Sequence, residues 1–171
     1  MTERANGGGA GRPAFAYAFW GSVVAVVLLV AGMVLAELWR RSAPAADPAD
    51  AAQVALGRTV YEGQCASCHG AKLEGQANWR ERLPNGRMPA PPHDATGHTW
   101  HHPDAVLFGI TKEGLVPGRY GPKGYQSDMP GFGGVLSDEE IWAVLAYIKS
   151  TWPPPALAYQ REVERKSRGP R

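Results

Sequence analysis

The sequence CASCH at residues 65–69 decides how the surrounding chain folds. The chain has 171 residues and two cysteines, Cys65 and Cys68, so a disulfide between distant segments is impossible. A C-x-x-C-H motif is typical of covalent haem attachment, because two thiols one helical turn apart can form thioethers with two vinyl groups on one porphyrin edge. The adjacent His69 then reaches the haem iron from the proximal side. The motif therefore predicts one covalently attached haem c, held through Cys65 and Cys68 and ligated by His69.

A redox-active dithiol and half of a zinc site are the competing interpretations of the two cysteines. A thioredoxin-like dithiol needs the motif close to a β-α-β unit, and no strand pattern surrounds residues 65–69. Zinc needs two further ligands, and adding His98 and His101 gives a spacing unlike that of the common zinc fingers. Haem attachment is therefore favoured over both alternatives.

Two methionines outside the N-terminal region, Met88 and Met129, are candidates for the second axial ligand of the iron. Met129 precedes Pro130, and a thioether in a proline-stiffened loop is suited to closing over the distal haem face. Met88 comes much sooner after His69 and can simply fill a gap beside the haem. Methionine is a usual partner of histidine in electron-carrying cytochromes, so we expect Met129 to bind the distal side of the iron. The alternatives are that Met129 belongs to the core and that a histidine or an open position takes its place.

The composition limits the partners and the kind of fold. Lys and Arg total 18 against 16 for Asp and Glu, so the chain has no strong positive field and we expect no nucleic-acid partner. Glycine and proline number 21 and 15, a high share that indicates short elements joined by long loops. Such a fold buries little apolar surface and commonly depends on a large cofactor, a metal or a cross-link for stability.

Residues 14–36 carry no charge and predict a transmembrane helix. A helix over this run is ~35 Å long, enough to cross a ~30 Å hydrocarbon layer. We therefore expect an N-terminal cytoplasmic segment at 1–13, an uncleaved anchor at 14–39 that lies in the lipid bilayer, and a linker at 40–50. A cleaved signal peptide is the main alternative, since residues 43–46 are small; however, its apolar region normally covers only about 7–15 residues. A buried core helix is a further alternative.

The flanking charges hardly decide the orientation of this helix. Arg4 and Arg12 precede the span, and Arg40 and Arg41 follow it, so the positive-inside rule is nearly tied. Haem attachment to a C-x-x-C-H motif takes place outside the cytoplasmic membrane of bacteria. We therefore expect a single-pass protein of the bacterial cytoplasmic membrane with its haem domain in the periplasm.

Two short helices and two long loops are predicted after the linker. Apolar residues recur at helical spacing within 51–64, directly before the motif. A second helix is expected from Pro103, as its first helical residue, to a stop at Gly114. Many glycines and prolines and no sustained periodicity predict loops at 70–99 and 115–136. A loop as long as the first of these is usually functional or wraps around something.

The third predicted helix has the clearest boundaries. Ser137 is placed to cap its N-terminus and Glu140 to complete a capping box, while the proline run that starts at Pro153 ends it. The domain is therefore expected to span 51–153. The polar residues 154–171 predict a flexible C-terminal tail.

At this point the chain resembles the class I cytochrome c family, specifically its monohaem, membrane-anchored bacterial members. Besides CASCH and Met129, the resemblance rests on Gly57 and Tyr61 before the motif and on Val144 and Tyr147 in the third helix. In that family, a small residue and an aromatic residue at the first two places pack against the C-terminal helix. The resemblance covers about 51–152 and implies an all-α class I cytochrome c fold of short helices and long loops, with one haem edge exposed for electron exchange.

Two features depart from the family pattern. Family members usually have a Gly-Pro pair shortly after the motif, and its carbonyl accepts a hydrogen bond from the proximal histidine. Here Gly75 is followed by Gln76, so that acceptor is unassigned. The loop 76–99 is also longer than in the small bacterial forms.

Four histidines, His93, His98, His101 and His102, lie close together in the sequence. One hypothesis makes them a second metal site, for example for copper, because imidazole is a suitable ligand. The simpler hypothesis is that they cap a helix, line the haem edge or face solvent. His98 or Trp100 is also a candidate donor to a haem propionate, by analogy with the aromatic donors of the family.

We expect this protein to be an electron carrier and not an enzyme. No nucleophile–base pair or pair of carboxylates converges near the motif, and histidine–methionine ligation leaves no open iron position for a substrate. By analogy, the electron donor is a membrane quinol-oxidising complex and the acceptor is a terminal oxidase or reductase. Two alternatives stay open: a permanently bound haem c subunit of a larger membrane oxidoreductase or oxidase complex, and a haem-based ligand sensor.

Overall fold

The computed structural model describes residues 14–41 and 45–169, and it divides the chain into two compact units at 1–43 and 44–171. Within the first helix, side chains are described for Trp20 and residues 22–36. The elements are, in chain order, α1 (Ala14–Arg41), α2 (Ala51–Gln64), α3 (Ala66–His69), a 3₁₀ turn (Thr99–His101), α4 (Asp104–Glu113), α5 (Asp138–Ser150) and α6 (Pro154–Ser167).

The described part of the N-terminal unit is the helix α1, and its large apolar side chains from Val23 to Leu35 are exposed. No helix in the described ranges is both long enough and apolar enough to cross a membrane. The anchor at 14–39 is therefore unconfirmed and stays a prediction. The cytoplasmic segment expected at 1–13 lies outside the described residues, as do positions 42–44 of the linker.

The haem-domain prediction of short helices and long loops is confirmed for residues 45–169. Helix α2 has the predicted bounds, and Asp50 caps it by accepting hydrogen bonds from the backbone N–H groups of Ala52 (2.9 Å) and Gln53 (3.1 Å). Those two donors have no partner inside the helix, so the cap fixes where it begins. The described part of the chain contains no β-strand, only isolated bridges such as the one between Met88 and Ser127.

Helices α2 and α5 form the centre of the domain. Tyr61 is fully buried, and its ring lies 5.4 Å from that of Tyr147. Val144 is 1% exposed within the same core. The packing that the family resemblance implied for these residues is therefore confirmed, and it places the C-terminal end of α2, where CASCH begins, against the core.

The capping box of α5 is confirmed. The hydroxyl of Ser137 accepts a hydrogen bond from the N–H of Glu140, whose carboxylate accepts the N–H of Ser137 at 2.8 Å. Helix α4 differs slightly from the prediction, because Pro103 is its N-cap and Asp104 its first helical residue.

The prediction of a flexible tail at 154–171 is wrong for Pro154–Ser167, which forms α6. Two hydrogen bonds to Asp104 of α4 hold this helix in place: the amide of the buried Gln160 donates to its carboxylate at 2.7 Å, and the carboxylate of Glu164 accepts its N–H at 2.8 Å. The prolines that end α5 also begin α6. The first N–H groups of a helix have no partner within it, so proline loses no hydrogen bond there.

Candidate haem-binding site

The motif CASCH lies at the junction of α2 and α3. The N–H of Cys65 donates to the carbonyl of Tyr61 at 2.9 Å, so the first cysteine is the C-cap of α2. One further turn, α3, carries Cys68 and His69. Both thiols are free; Cys65 is half-buried and Cys68 exposed. Burial, with a smaller effect of the Cys68 thiol, raises the pKa of Cys65 to about 11, so this thiol is protonated at neutral pH.

His69 is buried and held in a defined tautomer. Its Nδ1 lies 2.8 Å from the carbonyl oxygen of Pro91, and the residue is 7% exposed. A carbonyl oxygen only accepts hydrogen bonds, so Nδ1 carries the proton and the neutral ring keeps its Nε2 lone pair. Burial lowers the pKa of His69, and the hydrogen bond to Pro91 opposes this only in part. The ring is therefore neutral at physiological pH, which is the form that binds a metal.

The carbonyl of Pro91 is the acceptor that sequence reasoning left unassigned. Hydrogen bonds between the two ends of the loop bring it to the motif, because Gln76 pairs with Ala90 through its N–H (2.9 Å) and its side chain (2.8 Å). A Cβ atom on Gly75 would lie 2.4 Å from the nitrogen of Pro92, so this close approach requires glycine. The long loop thus replaces the missing Gly-Pro pair with a carbonyl from 22 residues further along the chain.

His93 packs face to face on His69. The two ring centroids are 4.0 Å apart and the planes differ by 23°. Nδ1 of His93 lies 2.9 Å from the hydroxyl of Thr99, and its carbonyl accepts the indole N–H of Trp152 at 2.7 Å. Burial, together with the nearby His69 and His98, lowers the pKa of His93 well below its ordinary value. The ring of His93 is therefore neutral where it packs on His69, the predicted proximal ligand.

The other three histidines contact aromatic rings instead of converging on one point. His98 stacks on Trp79 at 5.4 Å, His101 stacks on Trp100 at 3.8 Å, and His102 meets His98 edge-on. Among the residues that the structure describes, no group of three or more metal-binding side chains could hold an ion. The second-metal hypothesis therefore has no structural support.

The indole nitrogen of Trp100 is buried and has no hydrogen-bond partner. An unpaired buried N–H costs free energy unless a ligand accepts it. Its ring stacks on His101 at 3.8 Å and contacts Tyr159 edge-on at 5.2 Å. This unpaired donor fits an anionic ligand group, and Trp100 rather than His98 is therefore the better candidate for a haem propionate.

Met129 lies half-buried in the loop that follows α4. Its N–H donates to the hydroxyl of Ser127 at 3.1 Å. The loop returns to α4 through the N–H of Phe132, which donates to Thr111 at 2.9 Å. Met88 is also half-buried and forms the bridge to Ser127. Both candidate thioethers therefore belong to segments that touch each other, and ligation by Met129 stays a prediction.

Taken together, the donor set fits a haem. The motif supplies two thiols and a neutral imidazole with a free Nε2, and Trp100 supplies a buried donor for an acidic group. The family model of cytochrome c matches residues 54–152, which is more than half of the chain and includes all of these groups. No curated protein and no solved structure is significantly similar to the chain.

Proposed function

Because this chain belongs to the cytochrome c family, we propose that it is a membrane-anchored monohaem carrier of single electrons. Members of the family hold a covalently attached haem c and generally act as electron carriers rather than as enzymes. In our proposal, Cys65 and Cys68 form the thioethers, His69 is the proximal ligand and Met129 is the distal ligand. The observation that carries the proposal is the geometry at His69, where the hydrogen bond from Nδ1 to Pro91 leaves Nε2 free.

The residues around the motif prepare the proximal side. Donation of Nδ1–H to the Pro91 carbonyl fixes the orientation of the His69 ring and makes Nε2 a better electron donor to a metal. Stacking of the His93 ring on the His69 ring restricts rotation of the His69 side chain. A bound haem supplies the one-electron redox chemistry of its iron. The protein contributes a fixed ligand, a buried environment and a donor for an acidic haem group at Trp100.

Attachment to a bacterial cytoplasmic membrane is the second part of the proposal. The uncharged run at 14–36 and the exposed apolar side chains of α1 support it. With the haem domain in the periplasm, a tether would hold it at high effective concentration near a quinol-oxidising donor and a terminal oxidase or reductase as acceptor. If the domain is instead a fixed subunit of such a complex, the same helix serves as a docking element.

Haem attachment is tested by expressing the full chain in bacteria that attach haem c, and then measuring the mass and absorption of the purified protein. We expect one haem per chain and a haem-modified peptide containing residues 65–69. Cys65→Ser with Cys68→Ser removes the attached haem, whereas the matched change Ser67→Ala inside the same motif leaves it. Equal haem content in the two variants would contradict thioether formation at these cysteines.

Distal ligation is tested by the methionine–iron charge-transfer band of the ferric protein. We expect the band in the unmodified protein, its loss in Met129→Ala and its retention in Met88→Ala. A band that is missing from the unmodified protein would favour the ligand-sensor alternative, which needs an open or displaceable sixth position.

The anchor and the carrier role are tested in membranes. We expect the haem to stay in the membrane fraction of the full chain and to become soluble when residues 14–41 are deleted behind a cleavable export signal. Blue-native electrophoresis with haem staining then separates the carrier from the subunit. A band at the size of the single chain supports a carrier, and comigration with a large complex after gentle solubilisation supports the subunit.

A further inference from the structure

The segment 87–93 contacts His69, the predicted proximal ligand, and the residues directly before Met129, the predicted distal ligand. We infer that this segment, the axial strap, positions His69 with its C-terminal end and the Met129 loop with its N-terminal end. The inference rests on the proposed function, because it takes Met129 as the distal ligand. It concerns the connection between the two ligand environments through one segment, which neither the motif nor the family match specifies.

The C-terminal end of the strap holds the proximal imidazole by two contacts. The carbonyl of Pro91 accepts the Nδ1 proton of His69 at 2.8 Å, and the ring of His93 covers one face of the His69 ring at 4.0 Å. His93 is itself fixed by Thr99 and by Trp152, which belongs to the buried core. The position of the His69 ring is therefore tied to the position of this end of the strap.

The N-terminal end of the strap holds the loop around Met129. The guanidinium of Arg87 donates to the carbonyl of Ser127 (3.1 Å) and to the carboxylate of Asp128 (2.5 Å). The N–H of Met88 donates to the carbonyl of Gln126 at 3.2 Å. Ser127 in turn accepts the N–H of Met129 on its hydroxyl. Three consecutive residues directly before Met129 are thus bound by two consecutive residues of the strap.

The middle of the strap has restricted backbone freedom, which couples the movements of its two ends. Three of its seven residues are proline, which fixes φ at each of them. The backbone of Pro92 also packs closely against two glycines. A Cβ atom on Gly75 would lie 2.4 Å from the nitrogen of Pro92, and one on Gly97 would lie 2.0 Å from its carbonyl oxygen. A displacement at Arg87 is therefore transmitted in part towards Pro91.

The Arg87–Asp128 pair is partly exposed, with 42% and 69% of the two side chains accessible, so its contribution is modest. Loss of an exposed ion pair changes an equilibrium by about two- to five-fold. The expected effect is therefore a measurable loosening of the Met129 loop and not a loss of the fold.

The experiment uses the haem-loaded full chain and added imidazole, which competes with methionine for ferric iron. We expect Arg87→Gln and Asp128→Asn each to raise the affinity for imidazole by about two- to five-fold. The control Arg80→Gln changes an arginine of the same loop that covers Trp79, and it should leave the affinity unchanged. Reversing both charges, with Arg87→Asp and Asp128→Arg together, should restore much of the original affinity.

A second measurement reads the proximal end of the strap. The paramagnetically shifted proton resonances of His69 should move in Arg87→Gln and stay in place in Arg80→Gln. Unmoved His69 resonances, or an imidazole affinity equal to that of the unmodified protein, would overturn the inference while Met129 ligation stands. If the unmodified protein lacks the methionine–iron band, ligation by Met129 fails, and the inference fails with it.

Discussion

A Cβ atom placed on Gly57 would lie 1.9 Å from the carbonyl oxygen of Ala143, so α2 and α5 cross with their backbones in contact. The same Cβ atom would approach Cβ of Tyr147 to 3.0 Å. Neither neighbour is the end of a flexible side chain, so neither can move away without shifting a helix. This close packing fixes the orientation of α2, and with it the position of CASCH at the C-terminal end of the helix.

Replacing Gly57 with alanine should therefore destabilise the domain. Forcing a methyl group into the crossing costs about 1–3 kcal/mol by overpacking, which exceeds the gain in helix propensity of up to about 1 kcal/mol. Gly63→Ala is the matched control, because the same helix has open space within 4 Å at that position. Urea unfolding of the haem-loaded protein measures both. Equal stability of Gly57→Ala and Gly63→Ala would show that the two helices can separate freely.

Lys149→Met should also destabilise the domain, by about 3–5 kcal/mol, because it leaves Asp104 without its buried cation. The two side chains are only 8% and 12% exposed, and their closest N···O distance is 2.8 Å. Arg58→Gln is the control: the Arg58–Glu62 pair is 2.8 Å long but well exposed, so its loss should have only a small effect on stability. Thermal unfolding compares the two variants. A loss in Lys149→Met no larger than in Arg58→Gln would mean that Gln160 alone satisfies Asp104.

The parts of the fold that the sequence predicts are those with local signals. Helix α5 combines an N-cap, a capping box and apolar residues at helical spacing, and α2 ends in a motif whose chemistry is specific. Helix α6 has no such pattern, because the side chains that anchor it include the polar Gln160 and because its first residues are prolines. Its partner, Asp104, is distant in sequence, so the buried network is invisible to local reasoning.

The residues of the haem-binding site also differ in whether a local sequence signal identifies them. Cys65, Cys68 and His69 are adjacent and carry distinctive chemistry, so the sequence alone identifies them. Pro91 contributes a backbone carbonyl, a group that every residue has, and only the folded loop shows which one reaches His69. The run of prolines in a long loop was the one available signal.

The capping box makes the stability of α5 depend on pH. Hydrogen bonds from the backbone and side chain of Ser137 lower the pKa of Glu140 below its ordinary value of 4.5. A carboxylate with a lowered pKa in the folded state contributes stability above its unfolded pKa and loses it as the pH falls through the folded pKa. Ser137→Ala should therefore raise the pKa of Glu140 and lower the melting temperature at neutral pH, with a smaller difference in acid. NMR titration of the Glu140 carboxylate measures the first effect, and an unchanged pKa would contradict it.

Trp100→Phe should change how the reduction potential of the haem-loaded protein depends on pH. A phenyl ring keeps an aromatic contact with His101 and Tyr159, but the unpaired buried N–H is lost. If that N–H donates to a haem carboxylate, it favours the ionised form, and its removal raises the pKa of the carboxylate. The pH range over which the potential varies should then move upward.

Trp142→Phe is the control for this experiment, because Trp142 stacks on Phe108 at 4.4 Å and its nitrogen is not among the unpaired buried atoms of the described chain. Spectroelectrochemical titration of both variants over a range of pH separates loss of the donor from a general effect of removing an indole. The same pH dependence in Trp100→Phe as in the unmodified protein would mean that Trp100 serves packing alone, and that the propionate has another donor. An upward shift in Trp100→Phe alone would support donation from Trp100 to the propionate. Because Tyr159 of α6 contacts Trp100, α6 would then border the haem site.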